Sequence, residues 1–177
     1  MKNTTAAIIA GALLAGCHGM ARESAMESSL QATAALHPTQ GSKAFGEATF
    51  EQLGDGLRVL VNAQGLKPNQ QQGFHIHEVG DCSSGDGMSA KGHFNPTGKP
   101  HGNPASGEHH AGDLPALQAD KDGRAKLDLM VAGITLAPGP ESIVGRGLII
   151  HAGPDDYQTQ PTGNSGARIA CGVIKAS

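Results

Sequence analysis

Tryptophan is absent from this chain, and aromatic residues make up only 3% of its 177 residues. Helical periodicity is absent as well. No stretch of any length places apolar residues at the alternating three-and-four spacing of an amphipathic helix. There is no internal repeat. Charge of one sign is not in excess either: the formal net charge is −3 with histidine neutral. Nothing in that balance points to nucleic acid or to an anionic membrane surface as a partner. The one clear apolar run, residues 6–15, is too short to cross a bilayer. What the chain has in quantity is glycine, 26 residues of it. Short strands joined by tight turns are the expected result. The length suits one domain with a sizeable core.

Lys2 followed by the run 6–15 reads as a targeting segment. Its end, Leu14-Ala15-Gly16-Cys17, resembles a bacterial lipobox, in which Cys17 is lipidated and becomes the mature N-terminus. Residues 1–17 are then a signal peptide with lipobox. The alternative is an ordinary cleaved signal peptide with an incidental cysteine. Either way the domain is exported, to the periplasm or cell envelope, where disulfides persist. Three cysteines is an odd number. Lipidation takes Cys17 and leaves Cys82 and Cys171 to form one bridge.

Residues 18–40 are polar and rich in Ala and Ser, and read as a flexible tether; His18 and His37 within them are expected to be solvated. The domain proper is 41–177. Strands are expected at 44–53 and 57–63, joined by a Gly54-Asp55-Gly56 turn, then at 73–78, 125–131, 148–151 and 167–174. The long segment 81–117 has no periodicity and reads as loop, as does 152–166. A loop as long as the first needs a job or a covalent clamp. The pattern argues an all-β antiparallel sandwich or barrel.

Histidine clusters in that loop and at the strand ends beside it. His75 and His77 are two apart on a strand, so they share a face about 7 Å apart at the backbone. His151 ends another apolar strand. The loop adds His93, His101, His109 or His110, and Asp113. Imidazole is the commonest ligand for borderline metals. Three nitrogens and one oxygen suit zinc, and four nitrogens suit Cu(II).

The segments Gly73-Phe74-His75-Ile76-His77-Glu78, Gly92-His93-Phe94-Asn95-Pro96, His110-Ala111-Gly112-Asp113 and 163–173 together resemble the exported bacterial copper/zinc superoxide dismutases. The resemblance runs from about Lys43 to Lys175. It implies a Greek-key β-barrel or sandwich of about eight strands with two long functional loops. It implies one copper held by His75, His77, His93 and His151, and one zinc held by His93, His101, His110 and Asp113. His93 would bridge the two ions as an imidazolate. The signature around Asp113 selects His110 and leaves His109 outside the site. Cys82 and Cys171 match the family's disulfide, Arg168 its arginine beside the copper, and Asp155 the carboxylate linking a copper-ligand histidine to a zinc-ligand histidine. The implied reaction converts superoxide anion to dioxygen and hydrogen peroxide, with His93 and Arg168 as the residues active in it. No nucleic acid is implied, membrane contact is through Cys17 alone, and both monomer and homodimer stay open.

Two departures stand out. The span from Cys82 to His93 is longer than in animal-type members. The segment 152–166 holds Asp155 and Asp156 but no lysine, so a charged guiding loop is not reproduced; Lys91 is a substitute for steering or simply a solvated loop residue. Two other readings of the histidines are a non-catalytic copper/zinc-binding lipoprotein and a zinc hydrolase with an open water position. The first has no need of Arg168, and the second leaves His75, His77 and His151 without a role.

Overall fold

The computed structural model describes residues 29–177; the leader, Cys17, His18 and the first part of the expected tether lie outside the described residues. The strands are β1 (Gln31–Pro38), β2 (Phe45–Leu53), β3 (Gly56–Gln64), β4 (Gln71–His77), β5 (Asp113–Gln118), β6 (Ala125–Val131), β7 (Gly147–His151), β8 (Arg168–Val173) and the short β9 (Lys175–Ala176). The spatial order is β5-β4-β7-β8-β1-β2-β3-β6, with β9 against β1. Every strand pair is antiparallel. β5 and β6, at the two ends of that order, approach each other without a ladder, so the sheet curls into a nearly closed barrel of eight strands. β4, β5 and β6 run consecutively and β7 returns beside β4, which is the Greek-key connection. Among the described residues the only helix is one 3₁₀ turn, Met88–Ala90, and none is long and apolar enough to cross a membrane.

Alternation builds the core. Leu57, Val59, Val61 and Ala63 of β3 point inward, as do Ala48 and Phe50 of β2 and Leu148 and Ile150 of β7. β4 differs: from Gln72 to His77 every residue is buried. Phe74 and Ile76 fill the barrel, while His75 and His77 face outward beneath loops that cover that side.

Two expectations need correction. The tether does not run to residue 40, because Gln31–Pro38 is strand β1. Its inward residues Ala32, Ala34 and Leu36 are mostly small, so composition alone resembled a linker. Small residues suit a strand whose neighbours approach closely: a Cβ at Gly172 would run into the backbone at Ala35. His37 is exposed on the outer face, as expected. The second correction is β5, which begins inside the segment read as loop to Leu117. Pro115 disguised it. Proline is tolerated there because β5 has a ladder only with β4, leaving its other edge free.

Candidate metal centre

Three chain segments meet at one hydrogen-bonded knot at the end of β4. Phe94 N–H donates to Ile76 O at 2.8 Å, Ile76 N–H to Gly112 O at 2.9 Å, and Gly112 N–H to Phe94 O at 2.8 Å. Each of these residues neighbours a histidine or the aspartate. The knot therefore delivers His75 and His77, His93, and Asp113 to one place, and the β4–β7 ladder adds His151.

The side chains form two buried groups, His75-His77-His93-His151 and His93-His101-His110-Asp113. In each group the candidate ligand atoms lie within 4.8 Å of one another. His93 belongs to both. Its ring centroid is 4.0 Å from that of His75 and 5.3 Å from that of His101. His109 stands aside, its Nδ1 donating to the His110 carbonyl.

Four of the rings, those of His75, His77, His101 and His151, are each held by one nitrogen and present the other. His77 Nδ1–H donates to Lys91 O at 2.8 Å, and His151 Nδ1–H to Gly166 O at 3.2 Å. Asp155 lies between the two groups, taking His75 Nε2–H on Oδ2 at 2.6 Å and His101 Nε2–H on Oδ1 at 2.9 Å. These partners only accept, so they fix the tautomers and leave the opposite nitrogens as lone-pair donors. The opposite nitrogens are buried without a hydrogen bond: His75 Nδ1, His77 Nε2, His151 Nε2 and His101 Nδ1, the last facing Asp113 Oδ2 at 3.0 Å; so is His93 Nε2, whose Nδ1 pairs with Asp113 Oδ1 at 2.7 Å. Buried polar atoms are seldom orphaned without cause. These five, spread over the two groups, could serve as metal donors, and the residues fit copper in the all-nitrogen group and zinc in the group with a carboxylate.

The electrostatics agree. Burial pushes the His77 imidazole far below its usual range, with His93 and Arg168 adding repulsion. Burial lowers His151 to about 3. It lowers His93 to about 4, against the hydrogen bond to Asp113 that favours the cation. At Asp113 burial opposes ionisation, but hydrogen bonds from His110 and His93 outweigh it and the carboxyl lies well below its ordinary value. Asp155 is lowered in the same way, its burial overcome by His75, the Tyr157 N–H and His101. Neutral rings and ionised carboxylates are the forms that ligate.

The metal-stripped protein should therefore be acid-labile. The folded values of about 4 for His93 and about 3 for His151 lie below the unfolded value of about 6.5. On acidification the unfolded chain binds protons first. The stability these rings contribute is complete above about pH 6.5 and is lost as pH falls towards their folded values. The melting temperature of the chelated protein, followed by calorimetry, is expected to fall steadily between about pH 6.5 and about pH 4. A flat profile there contradicts this.

Arg168 lies across from His151 in the β7–β8 register. Its guanidinium donates to Gly87 O at 2.6 Å and also to Lys91 O, the carbonyl that receives His77. Lys91 adopts φ of 61°, a region costing about 1–3 kcal/mol for a residue with a side chain. Two hydrogen bonds on its carbonyl hold it there. The disulfide Cys82–Cys171 ties the same loop to β8.

Two features were not foreseen. A cleft of about 540 Å³ beside Arg168 is also lined by Lys43 and Lys67, from turns outside the segment 152–166. Gln160 reaches across to His101. No sequence motif marks either.

Comparison with known proteins agrees with this geometry. The family described as copper/zinc superoxide dismutase (SODC) matches residues 44–174. The copper-zinc superoxide dismutase 2 of Aquifex aeolicus (strain VF5) is 43% identical over 152 residues, covering 82% of this chain and 87% of that relative. The copper-zinc superoxide dismutase 1 of the same organism is 42% identical over 142 residues, covering 77% and 83%. Among solved structures, a double mutant of a SOD-like protein from Bacillus subtilis superposes with a TM-score of 0.73 at 42% identity, covering 81% of this chain and 96% of that one. The clock protein EA4 superposes with a TM-score of 0.75 at 37% identity, covering 84% and 95%. The chain belongs to the copper/zinc superoxide dismutase family, oxidoreductases that act on superoxide.

Proposed function

We propose that His75, His77, His93 and His151 hold copper, that His93, His101, His110 and Asp113 hold zinc, and that the chain dismutates superoxide outside the cytoplasm. One observation carries this reading: a single ring, His93, is shared by two buried groups, its Nε2 lying without a partner among the unpartnered nitrogens of His75, His77 and His151 and its Nδ1 facing Asp113 at 2.7 Å. When bound, copper supplies the one-electron redox chemistry that turns two superoxide anions and two protons into dioxygen and hydrogen peroxide, while zinc is redox-inert. His93 Nε2 is the atom at which a proton is held and then handed to the second superoxide. Asp155 keeps His75 and His101 in the ligating tautomer. Asp113 orients the zinc end, accepting the main-chain N–H groups of His110 at 2.9 Å and Gly102 at 3.1 Å. Arg168 docks the substrate anion, and Lys43 and Lys67 extend its positive field.

The direct test is superoxide consumption by the isolated protein with metal analysis. One copper and one zinc per chain, with activity lost on chelation and restored by both ions, is expected. A fully loaded protein inert toward superoxide would sink the reading. Replacing Arg168 by glutamine should slow turnover at least about tenfold and flatten its dependence on ionic strength, because the cation nearest the substrate is gone. An unchanged rate at low salt would count against the docking role. Export with a lipid on Cys17 belongs to the same proposal. Labelled palmitate should appear on the intact protein and not on a Cys17→Ala variant.

A further inference from the structure

His101 differs from the other proposed ligands in how its main chain is held. His75, His77 and His151 sit on ladders, His93 in a β-bridge with His77, and His110 and Asp113 in one turn closed by the Asp113 N–H on His110 O. Among the described residues no backbone group pairs with the N–H or C=O of His101. A side chain does both jobs. Gln160 Oε1 accepts the His101 N–H at 2.9 Å, and Gln160 Nε2 donates to the His101 carbonyl at 2.9 Å. The amide imitates one rung of a β-ladder.

The segment that carries Gln160 is itself stiff. Asp156 Oδ1 accepts the N–H groups of Gln158 and Thr159 at 2.9 and 2.8 Å, and Oδ2 accepts the Thr159 hydroxyl at 2.6 Å. Asp156 N–H donates to Gly163 O at 3.0 Å and Gly163 N–H to Thr159 O at 2.7 Å. Gly163 then packs where any Cβ would collide with Asp155 Oδ1 and His101 Nε2. Tyr157 OH accepts the Ala116 N–H at 3.1 Å, pinning the segment to β5. One stretch, 155–163, thus reaches the ring of His101 through Asp155 and its main chain through Gln160.

We infer that Gln160 is a positioning residue for zinc, setting the main chain of His101 so that its Nδ1 meets the Asp113 carboxylate, 3.0 Å away. The inference rests on the zinc assignment above. Gln160 is exposed, so changing it leaves the core intact. Loosening the support of a ligand characteristically weakens metal binding about 10–100-fold.

The test strips the full chain with chelator and titrates zinc alone against a chromogenic competitor. Gln160→Met keeps the length and loses the amide; it should bind zinc at least about tenfold more weakly. Gln160→Glu keeps the acceptor for the N–H but not the donor, and should fall between the two. Amide exchange at His101 N–H should speed up in Gln160→Met. The melting temperature should drop more with zinc bound than without. Zinc affinity within about twofold of the unaltered chain, unchanged exchange, or equal melting losses in both forms would overturn the inference. If the unaltered chain binds no zinc, the zinc assignment itself has failed instead.

Discussion

A His93→Ala variant is expected to lose at least about 100-fold in superoxide turnover and to bind zinc at least about 100-fold more weakly. The size follows from where the ring sits. Removing any other proposed ligand takes one donor from one group; removing His93 takes one from each. The loss is also larger than that of a supporting partner, for which about 10–100-fold is usual. The vacated space opens between rings centred 4.0 Å and 5.3 Å from that of His93, so His75 and His101 lose a packed neighbour as well. Asp113 Oδ1, now 2.7 Å from His93 Nδ1, loses a partner that helps keep it ionised. The measurement is turnover together with zinc and copper content after reloading. Full turnover with both metals bound would refute the bridging role.

Replacing both Cys82 and Cys171 by serine is expected to lower the melting temperature by roughly 10–15 °C. The bridge joins residues 89 apart in sequence. On the loop-entropy account a closure of that length is worth roughly 4–5 kcal/mol. For a domain of this size each kcal/mol moves the transition by about 3 °C. Activity should suffer beyond the stability loss. The tethered loop provides Gly87 O and Lys91 O, which hold Arg168 and His77, and Lys91 has an unfavourable backbone there. Calorimetry of the metal-loaded variant checks the first part, and turnover at a temperature well below its melting point checks the second. A drop of less than about 3 °C would mean that the chain without the bridge is already restrained.

The two histidine groups were legible in the sequence mainly through the family resemblance, which named the members that the fold brings together. His75 and His77 announce a shared strand face by separation alone, and the signature around Asp113 chose His110 over His109. The strand of alternating valines and leucines, β3, was legible too: side-chain period reads directly as burial. β1 was not, since Ala32 and Ala34 carry too little apolar surface to stand out from a linker. β5 was hidden by Pro115, whose tolerance depends on a free edge that only the sheet order reveals. Gln160, Lys43 and Lys67 could not be read at all. A glutamine amide takes on the role of a strand neighbour only after two distant loops are brought together, and a lysine becomes part of a cleft only once three turns converge.

β4 alternates between the barrel interior and the loop-covered face, with Phe74 and Ile76 on one side and His75 and His77 on the other. A slip of one residue against β7 would exchange the two sets, sending imidazoles into oil and aromatic bulk toward the ligand pocket. Such a misthreaded chain could not assemble the donors, so any ion that binds selects the properly aligned form. On the proposed ligand assignment, ion binding would therefore favour chains whose strands are in register.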